Sequence, residues 1–165
     1  MKYVLAGDPQ GRASYADALD RQIRDAGLEG IVVRTGHCVD MPAAFMAASI
    51  VTVPSTEPEA FGRSAVEAQA MGKPVIVSDL GAVPETVLTP PLVPASERTG
   101  WTVPPDDAPA LAAAIGDALR LGVAARDSLA VRARTHVERN FSLTHMCAAT
   151  LAAYAEILEH SGAQA

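Results

Sequence analysis

Short runs rich in Val and Ile alternate along this chain with longer Ala-rich stretches, and that alternation restricts the fold more than any other feature. A short β-branched run suits a strand, an apolar pattern of period 3.6 suits a helix, and strands alternating with helices build βα units around a parallel sheet. The runs predict strands at Tyr3–Ala6, Ile31–Arg34, Ile50–Val53, Val75–Ser78 and Trp101–Val103. Helices are predicted over Ala13–Ala26, Pro42–Ala48, Gly62–Met71, Ala108–Leu119, Ala124–Arg139 and Leu143–Glu159. In the first, Tyr15, Leu19 and Ile23 share a face while Asp17, Asp20 and Arg24 point outward, and Gly27 stands at the C-terminal cap. Gly72 and Pro74 close the third helix, and Pro105-Asp106-Asp107 opens the fourth. No repeat, low-complexity block or long linker divides the chain, so the expectation is one α/β domain over residues 1–160, an open Rossmann-like parallel sheet flanked by helices, with 161–165 as a frayed tail.

The 165 residues are 49% apolar and 19% charged, with a net charge of −6. A chain of this length buries about 70% of its unfolded surface and needs neither metal nor disulfide to close a core. No apolar run approaches the roughly 18 residues of a membrane span, and the opening MKYVLAGDPQG lacks the order of a signal peptide, so a cytoplasmic protein is expected. An acidic balance without a Lys/Arg block argues against a nucleic-acid partner, because basic groups must replace the counterions around phosphates. Cys38 and Cys147 lie far apart, each without a neighbouring Cys, which suggests buried or half-buried thiols and not a zinc knuckle or disulfide framework. His136, His145 and His160 have no metal-ligand spacing, and no metal site is expected.

Residues Pro54–Glu85 carry most of the chemical information. A strand ends at Val53, a loop carries Ser55, Glu57 and Glu59, and a helix begins near Gly62. Such a loop lies at the carboxyl end of a parallel strand, where open α/β sheets bind ligands. Phe61, Gly62, Arg63 and Ser64 would present unpaired amides and the positive end of a helix dipole, which suits a phosphate, and Gly62 allows close approach. Glu59 before the helix and Glu67 one turn into it can flank one anion without touching it. Carboxylates accept hydrogen bonds from vicinal hydroxyls, so the arrangement fits a ligand with a central diphosphate and sugar hydroxyls at both ends.

The same stretch resembles the donor-binding signature of the retaining family 4 glycosyltransferases of GT-B fold. Pro54 and Ser55 precede E-x-F-G-x-x-x-x-E-A-x-A-x-G-x-P-V-I at Glu59–Ile76; Ser78, Asp79, Gly81, Pro84 and Glu85 fall on S-D-x-G-G-x-P-E, and Thr99, Gly100, Val103, Pro104 and Pro105 on T-G-x-x-V-P-P. Val4–Arg12, reading V-L-A-G-D-x-x-G-R, resembles the family's second strand and loop. The resemblance implies the donor-binding C-terminal domain of a hexosyltransferase using a UDP- or GDP-sugar, with no cofactor beyond the donor. Glu59 would contact the sugar hydroxyls as the catalytic-site acid, Phe61–Ser64 would offer amides to sugar and diphosphate, Glu67 would hold the ribose, and the loop Arg34-Thr35-Gly36 would border the base.

Ala60 and Ala82 replace the family's usual Pro and Gly. The larger departure is that family members carry, upstream of the strand that opens this chain, a G-R-L strand with an Arg and a Lys that clamp the diphosphate, and before it an acceptor-binding domain; the chain resembles only the donor half and lacks that first strand. The strand is central in the family's sheet, so its loss leaves a gap of about 10 Å where neighbouring strands stand 4.7–4.9 Å apart. Arg12 and Arg63 are the basic groups nearest the expected phosphates, though neither has the spacing of the missing pair.

Blander roles stand beside these. Ser64 to Glu67 also reads S-x-x-E, so Glu67 could be the return half of a capping box. Glu57 is expected to face water, Glu85 to complement a helix N-terminus, and Phe61 to cover the core with its ring while its amide faces the ligand. Arg120, Arg126, Arg132, Arg134 and Arg139 read as a solvated basic face. Met146, Leu151, Tyr154, Ile157 and Leu158 give the last helix an apolar face that favours self-association. The chain alone is expected to bind nucleotide weakly and transfer nothing. The alternative is a non-catalytic nucleotide- or partner-binding module; a dehydrogenase is disfavoured because Gly7-Asp8-Pro9-Gln10-Gly11 is not G-x-G-x-x-G.

Overall fold

The computed structural model describes residues 1–162; Ala163–Ala165, the end of the expected tail, lie outside the described residues. The chain divides into two compact units, Met1–Ala44 and Phe45–Ala165. In the first, strand β1 (Tyr3–Ala6), helix α1 (Ala13–Asp25) and strand β2 (Val32–Gly36) form one βαβ unit. The strands are parallel, with Tyr3 opposite Val32 and Ala6 opposite Gly36 across an irregularity after Leu5. The C-cap is Ala26, not Gly27; Gly27 follows it in the left-handed conformation that ends the helix, its amide reaching the Arg24 carbonyl at 2.9 Å. Arg34 fastens strand to helix: its guanidinium donates to the Ala16 carbonyl at 2.8 Å and pairs with Asp20 at 3.2 Å. Arg34, Thr35 and Gly36 therefore belong to β2 itself and not to a loop beyond it.

Helix α2 (Met41–Ala47) runs across the division. The second unit continues with β3 (Val51–Val53), α3 (Arg63–Ala70), β4 (Val75–Ser78), α4 (Val83–Thr86), β5 (Gly100–Val103), α5 (Ala108–Leu119), α6 (Val123–Asn140) and α7 (Leu143–Gly162). Its sheet is parallel in the order β3-β4-β5, with Val51 opposite Val75 and Val75 opposite Gly100. The central strand reads Val-Ile-Val-Ser because both its faces are covered; Val75, Ile76 and Val77 are fully buried. Ile76 packs with Trp101, Val103, Ala114, Ala118 and Leu129, which seats α5 and α6 on the sheet. Asp107 caps α5, its carboxylate accepting from the Ala110 amide at 2.8 Å.

The expected parallel sheet flanked by helices is present, but as two ladders: β1 pairs with β2 and β3 with β4, and among the described residues no strand pairs with both sets.

Of the α6 arginines, Arg126 and Arg132 are half-buried, while Arg134 and Arg139 are exposed as a solvated face requires, as is Arg120 at the end of α5. Arg126 donates to the Ser49 carbonyl at 3.0 Å and to Ala118 at the end of α5 at 3.2 Å, Arg132 to Arg98 at 3.2 Å, and Arg134 to Met71 at the end of α3 at 3.3 Å. Lys73 does the same for Met46 in α2 at 2.7 Å. A helix leaves its last carbonyls without partners, and long cationic side chains satisfy them.

Helix α7 is exposed along its described length. Leu143, Met146, Leu151, Tyr154, Ile157 and Leu158, spaced to share one face, are 58–72% exposed. Cys147 is exposed and only Cys38 is half-buried, so Cys147 corrects the expectation of a covered thiol; it lies on a helix that nothing covers. A window within Val123–His160 reaches a mean hydropathy of 1.2 with none of it buried, long and apolar enough to cross a membrane by length and composition alone. Alanines supply much of that average, which is why no continuous run of large apolar residues marks it in the sequence.

Candidate functional site

The turn from β3 into α3 is built on Gly62, which caps the helix with φ +85°. That left-handed conformation suits glycine. A Cβ there would also stand 2.9 Å from Val83 Cγ2, so the missing side chain lets α3 begin directly against α4. The first helical amide to find a main-chain acceptor is Ala65, bonded to the Gly62 carbonyl at 3.0 Å. No main-chain hydrogen bond from the amides of Phe61, Gly62, Arg63 or Ser64 is found among the described residues. Four consecutive donors thus stand at the positive end of the α3 dipole.

Glu59 is half-buried at the edge of this cluster. The Ser55 hydroxyl donates to its Oε1, which fixes the carboxylate on the loop. Its main chain is held from the other side by the loop after β4: the Ala82 amide donates to the Glu59 carbonyl at 3.1 Å. Gly81, with φ +63°, makes that contact possible, since a Cβ would lie 2.7 Å from the Glu59 carbonyl oxygen and 2.9 Å from its nitrogen. The loop is itself anchored to the sheet, the Asp79 amide donating to the Val103 carbonyl at 2.8 Å. Ser55 and Gly81 are motif residues whose roles the motif itself does not show; the four-residue spacing from Ser55 to Glu59 is the sequence signal for the first.

Glu67 does not close a capping box. The cap is Gly62, Ser64 lies inside the helix, and no side chain caps its start. The Glu67 carboxylate accepts from Arg63 at 3.1 Å, an exposed pair one turn apart, and stays free to exchange that partner. Arg63, 83% exposed at its side chain, stands at the first helical position. Glu57 and Glu85 are exposed, the latter in the first turn of α4. Phe61 divides its roles: its amide belongs to the donor cluster, while its ring meets Phe141 edge-on at 5.6 Å. Phe141 in turn packs on His136 at 5.4 Å. Burial holds the His136 imidazole below its ordinary 6.5.

Glu59, Phe61, Gly62, Arg63, Ser64 and Glu67 thus belong to one continuous turn of the second unit, whereas Gly36 closes β2 of the first. Chemically, the turn offers amides and a helix dipole to an anion, with a fixed carboxylate on one side and an exchangeable one on the other.

Comparison with known proteins bears on this arrangement. Residues 1–120 match the family model described as glycosyl transferases group 1. The D-inositol 3-phosphate glycosyltransferase of Mycobacterium tuberculosis strain H37Rv is 33% identical over 161 residues, which are 93% of this chain and 31% of that protein. A glycosyltransferase structure from Rickettsia africae superposes with a TM-score of 0.87 at 31% identity, over 96% of this chain and 40% of the other. Anabaena HepE, solved in complex with UDP-glucose, superposes with a TM-score of 0.80 at 29% identity, over 92% of this chain and 41% of the other. The chain spans less than a third of the length of the mycobacterial relative and about two fifths of the two solved structures.

Proposed function

Since the chain belongs to the group 1 glycosyltransferases, a family of GT-B fold, we propose that the turn from Pro54 to Glu67 holds the nucleotide-sugar donor of a retaining hexosyltransferase. The observation that carries the reading is the row of four unpaired amides at Phe61–Ser64 with Glu59 and Glu67 to either side. The diphosphate sits on the amides, where the dipole stabilises the negative charge that grows as the sugar leaves. The Ser55-fixed Glu59 carboxylate accepts hydroxyl hydrogen bonds from the hexose and orients it; Glu67 exchanges Arg63 for the ribose hydroxyls. Arg63, released, swings toward the phosphates. HepE in its complexes with UDP and with UDP-glucose supports a uridine donor over a guanosine one.

The acceptor and its binding domain belong to the remainder of such an enzyme, so the 165-residue chain binds donor without transferring sugar. Calorimetric titration with UDP, UDP-glucose, GDP and GDP-mannose tests the reading. The expected result is saturable binding of the uridine ligands, weakened by Glu59→Gln for UDP-glucose but not for UDP. Equal affinity of the Glu59→Gln variant for both would remove Glu59 from the sugar site. Sugar transfer by the purified chain would refute its inactivity.

A further inference from the structure

At the opposite end of the β3-β4-β5 sheet lies a second, solvent-open cavity of ≈ 340 Å³, lined by Ser96, Arg98, Trp101, Ser128 and Arg132 among others. Arg98 precedes β5 and Trp101 is that strand's second residue, whereas Glu59 follows the carboxyl end of β3; because the strands are parallel, the two places are at opposite ends of the sheet. We infer that this cavity binds a phosphate dianion, free or as the monoester of a small molecule.

Its polar groups are almost all donors. The Arg98 Nε donates to the Ala95 carbonyl at 2.9 Å, and the Arg132 Nε to the Arg98 carbonyl at 3.2 Å. These bonds fix both guanidiniums through one nitrogen each. Their terminal NH2 groups have no hydrogen bond or ion pair among the described residues. The Arg98 guanidinium lies 5.1 Å from the Trp101 ring centre, which adds a cation–π contact to its anchorage. Trp101 is 8% exposed, and its buried indole Nε1–H has no acceptor among the described residues. Buried N–H groups in native proteins nearly always have a partner, so this residue of the cavity lining carries an unsatisfied donor. The hydroxyls of Ser96 and Ser128 make no hydrogen bond among the described residues. The one carboxylate lining the cavity, Asp117, is engaged by Arg120 at 2.6 Å.

Two guanidiniums whose NH2 groups are unpaired and two hydroxyls call for a ligand with several acceptor oxygens and two negative charges. A phosphate dianion has both; a carboxylate has one charge and two oxygens. The volume exceeds a bare phosphate and falls in the range of small-ligand pockets. The net charge of the chain, −6, opposes non-specific anion binding, so retention of phosphate here has to come from the local donors.

Trp101 is the single tryptophan and lines the cavity, so its fluorescence and its indole Nε1–H resonance report on the cavity wall. The whole chain is titrated at constant ionic strength with inorganic phosphate, glucose 6-phosphate and glucose. A saturable shift of the indole resonance with the two phosphate compounds and none with glucose is expected, and Arg98→Gln and Arg132→Gln each weaken binding at least tenfold. Arg132→Gln leaves the UDP-glucose titration unchanged. Tighter binding of glucose 6-phosphate than of phosphate identifies a monoester as the ligand, and equal affinity identifies the free ion. No saturable response to either, or an unaltered response in both Arg variants, overturns the assignment. If those variants fail to fold, Ser128→Glu puts a carboxylate on the cavity wall and must abolish binding; binding that survives it overturns the assignment equally.

Discussion

Replacing Gly81 by Ala tests whether the loop after β4 sets the position of Glu59. The new Cβ would stand 2.7 Å from the Glu59 carbonyl oxygen, 2.9 Å from its nitrogen and 3.2 Å from the Pro58 Cα, all main-chain atoms that cannot rotate away. The left-handed φ of +63° adds about 1–2 kcal/mol for a residue with a side chain. Relief of the clash separates the two loops and breaks the Ala82-to-Glu59 hydrogen bond, a further loss of about 0.5–1.5 kcal/mol. Together the variant loses about 1.5–3.5 kcal/mol, which at roughly 4 °C per kcal/mol lowers Tm by about 6–14 °C. Because the moved residue is Glu59, UDP-glucose affinity falls with it, by more than the affinity for UDP. Scanning calorimetry and titration of the folded variant at 15 °C give both numbers. A Tm within 2 °C of the parent (about half a kcal/mol), with UDP-glucose binding intact, would refute the idea that this glycine holds the site together.

Four further outcomes are expected. Glu67→Ala weakens UDP binding by about 1–3 kcal/mol, measured by calorimetry, with little change in Tm because the exposed Arg63 pair it loses is worth only about 0.3–0.5 kcal/mol; a fall in Tm with unchanged affinity would make its role structural. Ile76→Ala, in the fully buried central strand, costs about 2–5 kcal/mol in urea unfolding. Asp107→Ala removes the cap of α5 and costs about 1 kcal/mol by the same measurement. His136 is held below its ordinary 6.5, so the unfolded chain takes up the proton first. Its contribution to stability is complete above pH 6.5 and is lost as pH falls through that value toward the folded pKa, so the urea midpoint drops between pH 7.5 and 5.5, and His136→Gln flattens the drop.

Much of the local structure was legible because its causes lie within a few residues. The strands at Tyr3–Ala6 and Val75–Ser78 and the helix Ala108–Leu119 have the bounds that composition and period gave them. Asp107 caps α5 as its chemistry says it should, and Gly27 turns the chain one residue after the Ala26 cap of α1. The free amides at Phe61–Ser64 follow from a loop-to-helix junction that glycine announces. Glu67 was ambiguous in sequence, since S-x-x-E is compatible with either role; the structure removes the capping role because the helix starts two residues earlier than that motif needs.

Sequence alone determined the βα alternation, the caps and the presence of an anion-ready helix tip with two flanking acids. Each depends on hydrogen bonds and side-chain periods that span at most a few turns. Tertiary structure decided what those patterns cannot contain. It turned Arg126 and Arg134 into partners of carbonyls 77 and 63 residues away, pressed Gly81 onto the Glu59 main chain, and left α7 uncovered. It also gathered Arg98, Trp101 and Arg132 around one cavity. Nothing in a residue's neighbours along the chain specifies which distant carbonyl or ring will lie beside it; the packing of helices on the sheet fixes that.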